Sequence, residues 1–331
     1  MLRGRRALRP RWRRSPAFAA LAAAVLALIT PRVAWAWGCA GHVIVARIAE
    51  WHLGPHARER VADILGKNPI DPALPRYCPR IAGDRFADGA TWADDVRAQR
   101  PETAGWHYLD IPRGASTDDV ARFCPPGGCV TRAIVAQLAK LRAHVAGAKK
   151  AEALRYVVHF VGDVHQPLHC ATNGDRGGNC VPVAYFASAP KLADAAQGRY
   201  TPNLHQVWDS RVLETELAAR QRTPGELASA IDCRFATQIA AWMAEAPDPE
   251  AWARDAHQKA EDVVYGKLPA PVPIATTADP HTCKDGDVTQ RMLGLHLALE
   301  RPYEDAAFAV VEEQLAKAGA RLAAELNAIW P

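Results

Sequence analysis

Beyond the first few dozen residues, apolar side chains recur at i, i+3, i+4 and i+7 along most of the chain, the period that gathers them on one face of an α-helix. The pattern predicts helices over roughly 41–53, 55–65, 84–97, 130–145, 150–165, 203–218, 225–245, 248–262, 285–298 and 302–329. Alanine and leucine, both strong helix formers, dominate these segments. Only 181–187 reads as a strand, between the Gly177-Gly178 turn and Pro190, so at most a small β-hairpin is expected. The Pro-rich stretch from Leu268 to Pro280 reads as one long loop, and no repeat or linker divides the chain. The expectation is an all-α, single-domain helical bundle, an architecture that builds metal sites from side chains on facing helices.

The amino-terminal end has a different character. Seven arginines up to Arg14 precede a short apolar run from Phe18 to Ile29, and Ala34-Trp35-Ala36 fits the small-x-small rule for cleavage. Residues 1–36 are therefore read as a secretory signal, and 37–331 as the mature domain. Cleavage there makes Trp37 the new terminus, whose free amine and carbonyl oxygen together form a chelate that an internal residue cannot offer. The charge changes too. The whole chain carries +4, the leader holds eight arginines and no acid, and the mature part is left at about −4. Such a balance excludes a general duplex-DNA binder held by basic surface. If the protein handles polyanions, metal ions must supply the positive field.

All eight cysteines lie in the mature part, an even number that suits disulfides in an exported chain. Cys124-Pro-Pro-Gly-Gly-Cys129 looks like a local loop staple. For Cys39, Cys78, Cys170, Cys180, Cys233 and Cys283 the sequence leaves the pairing open, and no CxxC motif supports thiolate ligation of zinc.

Two His/Asp pairs, His159 with Asp163 and His205 with Asp209, are spaced four apart, which puts imidazole and carboxylate on one helix face. Both groups resist burial unless paired or ligated. His42, Asp94, His107 and His169 are further ligand candidates, together with the Trp37 terminus. Five His, three Asp and one chelating terminus can serve two or three zinc ions, with one Asp bridging. His165 is expected beside the ligands or facing solvent. His52, His56, His144, His257, His281 and His296 are read as ordinary surface or core histidines.

The ordered motifs Trp37-Gly-x3-His42, Trp92-Ala-Asp94-x2-Arg97, His107-Tyr-x-Asp110, His159-Phe-x-Gly-Asp163-x-His-Gln-Pro-Leu-His169, Gly177-Gly178-Asn179 and Asn203-Leu-His205-x2-Trp-Asp209 resemble the secreted zinc-dependent nucleases of the S-one and P-one type. The resemblance runs from Trp37 almost to the end. It implies an all-α fold with three zinc ions: one on Asp94, His107, His159 and Asp163; one on His169, His205 and Asp209; one on the Trp37 terminus, His42 and the second oxygen of Asp163. It also implies hydrolysis of single-stranded DNA and RNA to 5′-phosphate products, activity on 3′-nucleotides, and a disulfide between Cys124 and Cys129. Asp94, Arg97 and Asp163 are expected to act in catalysis, with Arg97 stabilising charge on the phosphate. Tyr108 and Asp110 are expected to hold a base, and Asn179 to contact substrate or a ligand. No stable protein partner and no membrane attachment after cleavage are expected, with residence in periplasm or medium. The rival readings are a zinc phospholipase C, which would carry Glu in place of Asp209, and a non-catalytic zinc-binding protein of the envelope.

Overall fold

The computed structural model describes residues 37–191, 200–284 and 292–331. The expected signal segment at 1–36 lies outside them.

Helix α1 (Cys39–Trp51) is followed by α2 (Pro55–Lys67), the short α3 (Arg85–Gly89) and α4 (Trp92–Arg97), and then α5 (Val130–Arg142) and α6 (Gly147–Asp163). After a long irregular stretch come α7 (Leu204–Gln206), α8 (Val212–Arg220), α9 (Pro224–Arg234), α10 (Ala236–Met243), α11 (Pro249–Lys259) and the 29-residue α12 (Arg301–Ile329). Local chemistry marks the starts. Asp84 accepts from the backbone N–H groups of Phe86 and Ala87, Asp248 from those of Glu250 and Ala251, and Thr223 with Glu226 forms a reciprocal capping box. Proline stands in the first turn of α2, α9, α11 and α12, where no N–H is needed.

The middle of the molecule is α1, sandwiched between α12, α9 and α6. Ile44, Val45 and Ile48 of α1 are fully buried, and each such side chain contributes about 1.5–3 kcal/mol on leaving water. At the crossing with α12 the helices touch through Gly319, where a Cβ would stand 2.5 Å from Ile48 Cγ2. From Ala153 to Asp163 every residue of α6 is buried, so the helix that carries the first His/Asp pair is wrapped on all sides.

The expected helices are present, with instructive departures. The segment 84–97 is two short helices broken at Ala90 and Thr91, and 225–245 breaks at Phe235. Val207–Arg211 and Ala260–Tyr265 are π-helical turns inserted into longer helical runs. The expected helix over 285–298 is corrected: of its described part only 292–294 is helical, 295–296 is a turn and Ala298–Leu299 is a strand, while 285–291 lies outside the described residues. Leu297 and Leu299 are buried and Ala298 between them is exposed, a period of two. The hairpin is likewise corrected. Strand β1 (Ala184–Tyr185) pairs in parallel with β2 (Ala298–Leu299), Ala184 opposite Ala298, and a parallel pair cannot be closed by a tight turn.

Disulfides join Cys39 to Cys78, Cys124 to Cys129 and Cys180 to Cys283, leaving Cys170 and Cys233 as thiols. The local staple is thus present. The 268–280 segment is a loop, as expected, and the third disulfide anchors the chain just beyond it beside the Gly177-Gly178 turn.

The strand pair is tied to α12 by Tyr185, whose hydroxyl donates to buried Glu304. Burial pushes the Glu304 carboxyl up to about 7. Between the ordinary value of 4.5 and 7 the unfolded chain has released this proton and the folded chain has not, so this group's contribution to stability falls as pH rises through that window. Glu304→Gln is expected to flatten that part of the stability profile, measured by urea unfolding from pH 4.5 to 7.5.

Candidate metal centre

The carboxyl end of α6 presents His159 and Asp163 one turn apart, their Nε2 and Oδ2 atoms 3.2 Å from each other. The break between α3 and α4 frees the Ala90 carbonyl, which accepts from His159 Nδ1 at 2.8 Å and leaves Nε2 with an open lone pair. His107 Nδ1 lies 3.0 Å from Asp163 Oδ2 and 3.2 Å from His159 Nε2. Asp94 Oδ1, from α4, stands 3.7 Å from His107 Nδ1 and 3.6 Å from His159 Nε2. Ligand atoms about 2.0–2.2 Å from a tetrahedral zinc are roughly 3.3–3.6 Å apart. These four donors, from three separate segments, lie 3.0–3.7 Å from their neighbours, bracketing that spacing.

A second group lies across Asp163. His169 Nε2 is 3.6 Å from Asp209 Oδ1, and His205 Nε2 is 3.1 Å from Asp209 Oδ2. Both imidazoles are set by carbonyls behind them: His169 Nδ1 donates to His107 O at 2.8 Å and His205 Nδ1 to Gly177 O at 2.6 Å. Gly177 has φ +59°, and a Cβ there would lie 2.6 Å from Leu168 O, so the turn that holds His205 requires glycine.

The third group forms at the amino end of α1. Trp37 is fully buried, and the Gly38 N–H donates to Asp209 O at 2.6 Å, pinning this end against the second His/Asp pair. His42 stacks on His159 with ring centres 3.9 Å apart, and its Nε2 reaches within 3.4 Å of Asp163 Oδ1. Gly162 makes the approach feasible, since a Cβ there would stand 2.9 Å from His42 Nδ1. Asp163 therefore turns one oxygen toward His107 and His159 and the other toward His42.

The donor set fits divalent cations on a second count. Among the described residues, Nδ1 and Nε2 of His42, Oδ1 of Asp94, Oδ1 of Asp163, Nε2 of His169 and Oδ2 of Asp209 are buried without a hydrogen-bond partner. An orphaned buried polar atom costs about 1–3 kcal/mol, and metals would satisfy one nitrogen of His42 and each of the others. Three side-chain groupings meet within ligand reach: His42, Asp94 and His159; His107, His159 and Asp163; His169, His205 and Asp209. Electrostatics agree. Burial holds His42, His107 and His159 in their neutral form and pushes Asp94 up to about 7 and Asp163 well above the usual carboxylate range. For Asp209 burial acts upward too, but His205 and His169 overcome it and hold the carboxyl low.

From the ligands a ribbon leads outward. Leu109 N–H donates to His169 O, Thr172 N–H to Ile111 O and Arg113 N–H to Thr172 O. Leu109 and Ile111 point into the core, so Tyr108 and Asp110 share the opposite face, with Tyr108 exposed and Asp110 half-buried. Half-buried Arg97, one turn after Asp94, directs its positive charge at Asp94, His107, Asp163 and Tyr108. Asn179 sits in its own turn, donating to Arg176 O at 2.9 Å.

His165 departs from expectation. It is fully buried away from the metal groupings, donating to Val161 O and receiving a hydrogen bond from Arg321 of α12 at 2.8 Å. Of the histidines read as ordinary, His257 is buried with Nδ1 on Cys170 O, and His52 pairs with Asp232.

A model of the family described as S1/P1 Nuclease matches residues 37–331. Nuclease S1 of Aspergillus oryzae is 28% identical over 321 residues, covering 95% of this chain and 98% of its own. Endonuclease 2 of Arabidopsis thaliana is 27% identical over 313 residues, covering 89% and 90%. Nuclease P1 of Penicillium citrinum is 26% identical over 314 residues, covering 88% and 97%.

Sequence reasoning passed over Gln166, which stood inside a motif with no role. It is fully buried, its amide nitrogen donates to Asp209 Oδ1, and its amide oxygen accepts from the Leu168 N–H. Its backbone N–H also bonds the main-chain carbonyl of Asp163, so one residue ties the end of α6 to the Asp209 carboxylate. Only its place between two ligand residues could have signalled this. Gln166→Leu leaves Asp209 without that donor and is expected to weaken metal binding at the His169, His205 and Asp209 grouping about 10–100-fold, measured by competition with a chromophoric chelator.

Proposed function

This chain belongs to the S1/P1 nuclease family, and we propose that the three groupings around Asp163 are its catalytic centre, holding three zinc ions. The protein is a hydrolase that cuts phosphodiester bonds in single-stranded nucleic acid, and the family is zinc-dependent. The single observation that carries the site reading is Asp163, fully buried, with its two oxygens facing different groups of imidazoles.

Asp94, His107, His159 and Asp163 would hold one zinc and His169, His205 and Asp209 a second. His42, the other oxygen of Asp163 and a free Trp37 terminus would hold the third. Zinc in such sites supplies a water nucleophile at neutral pH and positive charge against phosphate oxygens. The chain's own residues do the rest. Asp163 fixes the spacing between groups, and the carbonyls of Ala90, His107 and Gly177 keep their imidazoles in the ligating tautomer. Arg97 stands where it can neutralise charge on a phosphodiester. Tyr108 offers a ring on which an unpaired base can stack, an interaction worth about 1–3 kcal/mol that a base inside a duplex cannot make. Asp110 accepts hydrogen bonds from base edges. Asn179, in the turn that holds His205, bonds Arg176 O through its amide nitrogen and would offer its amide oxygen to substrate. Products with 5′-phosphates and cleavage of 3′-nucleotides belong to the same reading.

Cleavage after Ala36 would release the Trp37 amine and leave 37–331 as the mature domain. Three disulfides favour folding outside the reducing cytosol, in periplasm or medium. Among the described residues no helix is long and apolar enough to cross a membrane. The phospholipase reading is not favoured, because the family match spans the whole mature chain. The envelope zinc-binding reading is disfavoured by Arg97 and Tyr108 beside the ligands.

The test is Asp163→Asn in protein beginning at Trp37. Cleavage of single-stranded DNA is expected to fall more than ~100-fold, as loss of a ligand exceeds loss of a supporting contact. Zinc content, measured by atomic absorption, is expected to drop by more than one ion per chain. Near-normal cleavage with full zinc would overturn the assignment. Chelation of the unaltered protein should abolish cleavage and added zinc restore it.

A further inference from the structure

A cavity of about 180 Å³ opens beside the ribbon, lined by Asp110, Arg113, Thr172, Asn173 and Asp279 among others. Asp110 and Thr172 each lie three residues beyond a ligand, His107 or His169, so the cavity is roughly 10 Å from the metal centre at about 3.3 Å per residue. A nucleotide with its phosphodiester at the metals can place its base there.

Most of the polar lining is already committed. Arg113 bonds Glu261 and Val272 O while lying over the Tyr265 ring. Asn173 donates to Pro273 O and accepts from the Ala275 N–H. Two carboxylates remain. Asp110 has no hydrogen-bond partner among the described residues, and burial followed by repulsion from Asp279 pushes it up to about 7. Asp279 is oriented through one oxygen, which accepts from the Thr172 hydroxyl and from the Arg176 N–H at 2.7 Å.

The loop that delivers Asp279 is firmly seated. Arg176 Nη1 donates to His281 O at 2.7 Å, a Cβ on Gly174 would lie 2.8 Å from Thr277 O, and Cys283 is bonded to Cys180. The second carboxylate is therefore a fixed part of the wall.

We infer that Asp279 is a specificity-determining residue: with Asp110 it selects, for the base beside the scissile phosphodiester, those that carry an exocyclic amino group. The inference rests on the nuclease site proposed above. An ionised carboxylate only accepts hydrogen bonds, so the selection operates above about pH 7, where Asp110 has lost its proton, and is assayed at pH 8. Adenine, cytosine and guanine offer an amino donor, as when Asp accepts from the N4 amino group of cytosine. Thymine and uracil flank their one ring N–H with two carbonyl oxygens, which a pair of carboxylates repels.

The experiment uses zinc-loaded protein beginning at Trp37, titrated calorimetrically with dAMP and dTMP and assayed on oligo(dA) and oligo(dT). The unaltered protein is expected to favour dAMP and oligo(dA) roughly tenfold. Asp279→Asn keeps an oxygen for Thr172 and Arg176 but turns an amide donor to the cavity, so the preference should disappear or reverse toward thymine; Asp279→Ala should lose it. Zinc content, read in parallel, is expected to stay at the unaltered value. An unaltered protein without preference, or variants that retain it, would overturn the role of Asp279. If Asp279→Ala does not fold, Asp279→Asn decides. If the unaltered protein, with its zinc in place, neither binds nucleotide nor cuts either oligonucleotide, the nuclease reading itself fails and this inference with it.

Discussion

Everything in this fold is arranged around a buried carboxylate. Asp163 is shut off from water at the end of a helix that is itself wrapped on all sides. Ionising such a group without a partner costs several kcal/mol, and its neighbours are imidazoles whose lone pairs face inward. Donors 3.0–3.7 Å apart with few protons between them repel one another unless a cation sits among them. The helix bundle stabilises an arrangement that its own side chains would not choose.

The cost is met by packing elsewhere and by a frame of backbone groups around the site. Ile44, Val45 and Ile48 of α1 are buried, and Ile48 packs on Gly319 of α12, which fixes the helix bearing His42. The carbonyls of Ala90, His107 and Gly177 then hold three imidazoles from behind. Each carbonyl is free for this because the chain is irregular there: a break between two short helices, a ribbon, and a glycine turn. Two further glycines allow close approach: Gly162, within α6, lies under His42, and Gly38, just before α1, lies under Ser210. Gln166 links the main chain at Asp163 to the Asp209 carboxylate of the other group. Departures from regular helix are concentrated where ligands must converge.

The outer side of the site follows different physics. Residues 108–111 alternate outward and buried, so Tyr108 and Asp110 face away from the core beside the candidate metal groupings. The 268–280 loop closes over it with Asp279. A flat exposed ring and acceptor carboxylates suit unstacked bases, and on the proposed reading the positive field that draws a polyanion comes from Arg97 and bound cations. The net charge of residues 37–331, about −4, means that such a field has to be local.

Helices, their approximate limits, the His/Asp pairs and the order of the ligand motifs were legible in the sequence, because helical period and i,i+4 spacing are local properties. Cys124 and Cys129 were legible as a pair for the same reason, with only four residues between them. What the chain could not disclose locally was which ligands share a point in space. Asp163 meets His42 across 121 positions and Asp94 meets His159 across 65, and only the packing of α1, α4 and α6 decides those meetings. The parallel pairing of 184–185 with 298–299, the burial of His165 against Arg321, and the bond from Gln166 to Asp209 are decided at the same level. So is the seat of Asp279. A local pattern states what a segment presents on each face; which other segment it faces depends on how all the buried surfaces fit at once.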